Sequence, residues 1–255
     1  MLRTERHADI AVWTVDRPEA KNALDHATLA AFVATVRDAA KDRTLRAAVI
    51  AGAGDVFVSG GDLRELRYRS SAEDAEHLSD AGFALTSAIG ELPFPVIAAI
   101  EGPAIGGGAE LAVACDLRIA DVAARISFKQ VRMGVTTAWG TVPRLTALVG
   151  AGAAARLLYT GQDISATECR RLGLVDEVTD EGQAHATALA WAADIARGSP
   201  KAVAETKRLL REATTTARNV RALERQAFID TWSGPDHSDA IEAYFERRPP
   251  RWQAR

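Results

Sequence analysis

The 255-residue sequence predicts an α/β protein: an α/β core over residues 1–195 followed by a helical C-terminal region over 196–255. Three observations carry this reading. Ala47–Ala51 and Val96–Ile100 are short, almost wholly apolar runs, as strands covered on both faces require. An amphipathic stretch with Leu29, Phe32, Val33, Val36 and Ala40 at helical spacing separates the first of these runs from an earlier one at Ile10–Val15. Strands become scarce beyond about Gly150, and helical patterns dominate to Glu246.

The elements follow in order. Ile10–Val15 is rich in branched and aromatic side chains and reads as a strand ended by Arg17-Pro18. Asp25 caps the following helix, and the next strand, Ala47–Ala51, completes a right-handed strand–helix–strand unit. After a Gly52–Gly54 turn, Val56-Phe57-Val58 is expected as a brief strand running into Ser59-Gly60-Gly61-Asp62. Ala72–Leu92 is a long helix with Ala75, Leu78, Gly82, Leu85 and Ile89 on one stripe, stopped by Pro93 and Pro95. Val96–Ile100 leads into Gly102-Pro103-Ala104-Ile105-Gly106-Gly107-Gly108, a helical stretch follows at Ala109–Ala114, and Leu117–Ala120 is a strand. Ser165-Ala166-Thr167-Glu168 has the form of a capping box, Leu174–Val178 reads as a last short strand, and Ser199-Pro200 starts a helix.

Composition narrows the function. Apolar residues at 47% and charged residues at 25% give an ordinary globular profile with enough material for a core, which excludes a disordered chain. A net charge of −3 supplies no global basic field, so no nucleic-acid partner is expected. Cys115 and Cys169 lack paired spacing and read as buried hydrophobes of a reducing compartment. Met1–Asp9 carries Arg3, Glu5, Arg6 and Asp9 without an apolar stretch, and no run reaches bilayer length. The expectation is a cytoplasmic protein with no signal peptide and no membrane partner. His7, His26, His77, His185 and His237 show no ligand spacing, so no metal site is expected.

Two glycine turns carry candidate chemistry. At Ser59-Gly60-Gly61-Asp62 the chain leaves a strand through residues that reach positive φ cheaply, so backbone N–H groups can face a cleft. At Gly106-Gly107-Gly108 it enters a helix, whose first N–H groups lack intrahelical partners and favour an anion. Two such groups aimed at one point make an oxyanion hole, and removing one donor from such a hole costs on the order of 3 to 4 kcal/mol. Glu110 stands less than a turn beyond Gly107, inside the apolar run Ala109–Ala114, where its carboxylate can exchange a proton beside a carbonyl held there. Glycine clusters also mark tight turns and close packing, and both readings stand at this point. The triple glycine is no dinucleotide fingerprint, since Leu111 occupies the place of its last glycine, and no phosphate-binding lysine follows. Ser59 lacks the surround of a hydrolase nucleophile.

These segments, with Cys115-Asp116, resemble the enoyl-CoA hydratase/isomerase (crotonase) superfamily. So do Arg17-Pro18-Glu19-Ala20-Lys21-Asn22-Ala23-Leu24, the stretch from Thr160-Gly161 to Gly173-Leu174-Val175, and the ending Phe245-Glu246-Arg247-Arg248-Pro249-Pro250, so that the likeness runs over about residues 2–252. The resemblance implies a crotonase-like spiral of ββα units with a helical C-terminal trimerisation region, assembled as a homotrimer or homohexamer. It implies an acyl-CoA thioester as substrate, with coenzyme A present only as part of that substrate and no metal or redox cofactor. By motif position the oxyanion donors are the N–H groups of Ser59 and Gly107, with Glu110 as general acid/base. Lys21, Ala23, Leu24, Ser59, Gly60, Gly61, Asp62 and Gly107 are implied to bind the substrate.

The chain departs from the pattern in one place. Hydratases of that family commonly use two glutamates, and the second falls shortly after the position of Phe128. Here Lys129-Gln130-Val131-Arg132-Met133-Gly134 follows, a shorter segment, and no Asp or Glu occurs from Val122 to Gln162. One carboxylate suffices to move a double bond; hydration asks more of it, and decarboxylation of a malonyl-type thioester needs only the oxyanion hole. The stretch Lys129–Gly140, with Trp139-Gly140, is similar to members that decarboxylate ethylmalonyl- or methylmalonyl-CoA. Trp139 is thus read either as a wall of the acyl pocket or as an aromatic core residue. Asp62 is either a second acid or a helix cap, and Arg64, Arg67 and Arg69 either attract coenzyme A phosphates or form an exposed helix face. The leading expectation is a hydratase or isomerase. An acyl-CoA decarboxylase and a non-catalytic acyl-CoA-binding scaffold remain as alternatives.

Overall fold

The computed structural model describes residues 1–69, 71–214, 225–226 and 228–251. The remaining parts of the expected helical C-terminal region, 215–224, 227 and 252–255, lie outside the described residues.

The first hairpin pairs β1 (Leu2–His7) antiparallel with β2 (Ile10–Val15). From β2 the chain passes through α1 (His26–Ala39) to β3 (Ala47–Gly52), which lies parallel to β2 with Ile10 opposite Ala47 and Val15 opposite Gly52. The Asp25 carboxylate accepts from Thr28 N–H and starts α1, whose Phe32 meets Trp13 of β2 edge-on at 6.1 Å between ring centroids. The short α2 (Leu63–Leu66) and the long α3 (Ala72–Glu91) come next, the latter opened by a reciprocal Ser71–Asp74 capping box. β4 (Val96–Ile100) and β6 (Leu117–Asp121) extend the parallel sheet, with β5 (Pro103–Ile105) and α4 (Gly107–Ala114) between them in the chain. β7 (Arg125–Ser127), the kinked α5 (Thr141–Thr160), β8 (Ile164–Ser165), α6 (Ala166–Leu172), β9 (Glu177–Thr179) and α7 (Ala184–Ala196) follow. The helices α8 (Pro200–Thr214) and α9 (Pro235–Glu246) lie beyond.

The main sheet has the order β1-β2-β3-β4-β6-β9, and a second sheet the order β5-β7-β8. Alternation along β2, β3 and β4 divides the core in two, because successive side chains leave opposite faces of a strand. Trp13, Val15, Ala48, Ile50, Ala98 and Ile100 face α1 and α3. Val12, Ala47, Val49, Ile97 and Ala99 face α7, which closes on them through Ala184, Ala188 and Ala192. Burial on both sides explains why these strands read as unbroken apolar runs.

Several expectations need correction. Val56–Val58 is no strand: only Val58 makes a bridge, to Ala104, because the Val56 carbonyl is occupied by the Asn22 amide. The last strand begins later than expected, at Glu177. The Ser165–Glu168 box forms only half-way. Ser165 Oγ accepts from Glu168 N–H, but the Glu168 carboxylate turns outward to Arg156 and Arg171. α8 is pinned to the body by Lys207, whose buried ammonium donates to the carbonyls of Ile89 and Phe94 and to Asp116. Cys115 and Cys169 are buried, and burial pushes both thiols up to about 12, as expected of small core residues. No helix among the described residues is long and apolar enough to cross a membrane.

Candidate active site

The two glycine turns meet. Gly60 adopts φ +100°, and a Cβ placed there would lie 3.2 Å from the amide nitrogen of Gly107 and 3.0 Å from Ile105 O. Gly108 stands so close to the preceding segment that a Cβ would fall 1.9 Å from Val58 O, so only glycine fits. Ile105 N–H donates to Val58 O at 2.9 Å and joins the two segments directly. The first turn is also gripped from outside: Leu24 N–H donates to Gly60 O at 2.7 Å, and Asp62 N–H donates to Leu24 O at 3.2 Å. Gly107 is the first residue of α4, so its N–H has no intrahelical acceptor. Neither it nor Ser59 N–H is bonded to any described residue.

Glu110 lies one turn into α4 and is only 4% exposed. Its carboxylate is met by donors from a different part of the chain. Gln130 Nε2 donates to Oε1 at 2.7 Å, while Ala138 N–H, Trp139 N–H and the Thr141 hydroxyl all donate to Oε2, at 3.2, 3.0 and 2.5 Å. Charge-assisted bonds of this kind are the strong class. The loop after the Lys129–Met133 3₁₀ turn therefore wraps the acid that α4 presents.

Both turns and Glu110 open onto one cavity of about 640 Å³. Ser59, Gly60, Gly61, Asp62 and Gly107 line it, and so do Lys21, Ala23, Glu110 and Trp139. Leu24 does not. Its side chain is buried in the core, and its backbone grips the Ser59–Asp62 turn. Asp62 caps α2 through Arg64 N–H and pairs with Arg17 at 3.0 Å, which favours the cap reading over that of a second acid. Trp139 lines the cavity and is only 4% exposed, so it belongs to the core and to the cavity wall at once. Arg67 pairs with Glu242 and lies 4.7 Å over the Phe245 ring, and Arg69 pairs with Glu65; Arg64 alone of the three borders the cavity.

A C-terminal wall completes the cavity, and of its residues only Phe245 lies in a motif that the sequence analysis singled out. Phe228, Trp232, His237, Tyr244 and Phe245 all line the cavity. His237 packs against the Trp232 ring at 4.3 Å, and its Nδ1 bonds to Met133 O at 2.7 Å, which requires Nδ1 to carry the proton. Burial holds this imidazole below its ordinary value, and the bond to Met133 opposes that only in part. Among the described residues no cluster of three or more His, Cys, Asp or Glu is placed to hold a metal.

Comparison with known proteins points in one direction. A family model for enoyl-CoA hydratase/isomerase matches residues 5–255. The chain is 35% identical over 246 residues to the short-chain-enoyl-CoA hydratase of Clostridium acetobutylicum, covering 96% of this chain and 94% of that one. It is 31% identical over 255 residues to the 2,3-dehydroadipyl-CoA hydratase of Escherichia coli, covering 100% and 99%. A solved enoyl-CoA hydratase/isomerase from Xanthobacter autotrophicus Py2 superposes with a TM-score of 0.88 at 29% identity, over 96% of this chain and 93% of that chain. The mixed α/β architecture expected from the motifs is therefore the one present.

Proposed function

The chain belongs to the enoyl-CoA hydratase/isomerase (crotonase) family, and on that premise we propose that it moves a proton next to the carbonyl of an enoyl-CoA thioester. The thioester oxygen is received by the N–H groups of Ser59 and Gly107, which stabilise the enolate as charge develops on it. Glu110 is the acid/base: it takes a proton from one carbon of the acyl chain and returns it to another, or takes it from an adding water and returns it to the α-carbon.

A single observation carries this reading. Two N–H groups without acceptors among the described residues and one buried carboxylate share the same cavity. The other carboxylates on its lining fit the role less well, since Asp62 is engaged by Arg17 and the α2 cap, and Glu19 is exposed. The proposed step transfers only a proton and calls for neither a metal nor a redox cofactor, with coenzyme A entering as part of the substrate. The assembly we expect is a homotrimer or homohexamer.

The test uses two substrates and one variant. The protein should hydrate crotonyl-CoA, read as loss of 2-enoyl thioester absorbance, or convert a 3-enoyl-CoA to its 2-enoyl isomer, and Glu110→Gln should abolish that turnover. Release of CO₂ from methylmalonyl- or ethylmalonyl-CoA that persists in Glu110→Gln would overturn it in favour of decarboxylation. Binding of acyl-CoA without any turnover would mark a scaffold.

A further inference from the structure

We propose that Thr141 is a positioning residue that fixes which oxygen of Glu110 handles the proton; this rests on the acid/base reading of Glu110. A carboxylate oxygen offers about two lone-pair sites. Oε2 meets three donors: the Ala138 and Trp139 N–H groups and the Thr141 hydroxyl. Oε2 is thereby saturated, and proton exchange runs through Oε1, where Gln130 Nε2 is bonded at 2.7 Å. In that step a substrate C–H bond breaks, an Oε1–H bond forms, and the electron pair moves into the enolate held by the two backbone N–H groups. Return of the proton reverses each change, and Thr141 keeps its own proton throughout.

The need for a clamp follows from the side chain. The terminal torsion of glutamate is broad and roughly two-fold, so the carboxylate plane is poorly fixed by its own bonds. Two of the three donors on Oε2 are backbone groups that no side-chain change removes. The third is a side chain with no accessible surface, at the first residue of α5, that does not border the cavity. Gly140, just before it, adopts φ +75°, the turn that brings the hydroxyl round to Glu110 instead of leaving it to cap its own helix. Thr141 thus touches the acid without bordering the cavity. Its loss should act on the rate of the chemical step and leave binding nearly unchanged, because small misplacements of a reacting group are costly.

The experiment compares Thr141→Ser with Thr141→Ala, which lose the same methyl and differ only in the hydroxyl, alongside Glu110→Gln. We expect kcat of the serine variant within about threefold of the parent protein, and kcat of the alanine variant lower by roughly 10- to 100-fold with KM within about twofold. Should the alanine variant fold poorly, Thr141→Val keeps the shape without the hydroxyl and should show the same loss of kcat per folded molecule. Equal kcat in the serine and alanine (or valine) variants would overturn the proposal, as would a change confined to KM. If Glu110→Gln is inactive while those variants match, the clamp alone fails. If Glu110→Gln remains active, the acid/base reading fails with it.

Discussion

Trp139 packs against Gly107 so closely that a Cβ on the glycine would lie 2.7 Å from the indole ring. The same ring meets Gly82 of α3, where a Cβ would fall 1.9 Å from Nε1. The indole thus ties α3, α4 and the loop entering α5 together behind the cavity, and its backbone carbonyl receives the Thr86 hydroxyl at 2.8 Å.

Gly107→Ala should therefore push either the indole or the α4 N-terminus away. The expected result is a folded protein whose kcat falls by about 10²- to 10³-fold, the usual effect of losing one oxyanion donor. Steady-state kinetics with crotonyl-CoA, together with a circular dichroism spectrum, measure it. Wild-type kcat in this variant would show that Gly107 N–H has no such part.

Gly82→Ala tests the packing of α3 against the same indole from a position that does not itself line the cavity. Overpacking of this kind costs about 1 to 3 kcal/mol, so the urea midpoint should fall. An unchanged midpoint would mean that the indole yields freely.

Asn22 should matter more than an ordinary loop residue. It is fully buried at φ +55°, donates from Nδ2 to the carbonyls of Ala53 and Val56 at 2.8 and 2.6 Å, and accepts from Arg17 N–H at 2.9 Å. Asn22→Ala leaves these groups without a partner at a cost of about 1 to 3 kcal/mol. Because the 53–58 segment leads directly to Ser59, turnover should fall as well. Chemical unfolding and kinetics on the same sample check both effects.

His237 sets a pH dependence of stability. Its folded value lies below the ordinary 6.5, chiefly through burial, so the native state holds the ring neutral. As pH falls through 6.5 the unfolded chain binds a proton that the native chain does not, and stability drops until the native value is reached. Above 6.5 the contribution is fully present. The difference in melting temperature between the parent protein and His237→Gln should therefore shrink as pH is lowered from 7.5 to 5, and a constant difference would contradict this.

Much of this site could be read in the sequence because its chemistry sits on short local patterns. Glycines at a strand end and a helix start announce the Ser59–Asp62 and Gly106–Gly108 turns, and an acid inside the apolar run 109–114 announces Glu110. The donors that hold Glu110 were illegible, since Gln130, Ala138, Trp139 and Thr141 reach it only after the chain has passed through β6 and β7. The C-terminal wall was hidden for the same reason: Trp232 and His237 look like ordinary helix residues until α9 is docked on the 3₁₀ turn at Met133. β1 leaves no mark in the sequence, because all but one of its residues are exposed and no apolar alternation runs along it. For Leu24 a motif gives position along the chain but does not tell a backbone clamp from a side-chain contact, and the grip on Gly60 and Asp62 appears only in the fold.

A crystal structure with a stable thioester analogue of an enoyl-CoA bound tests the convergence of the two N–H groups most directly. The thioester oxygen should lie about 2.7 to 3.1 Å from both the Ser59 and the Gly107 nitrogen, with a Glu110 oxygen facing the α-carbon. An analogue bound in the cavity with its oxygen bonded to neither nitrogen would contradict it.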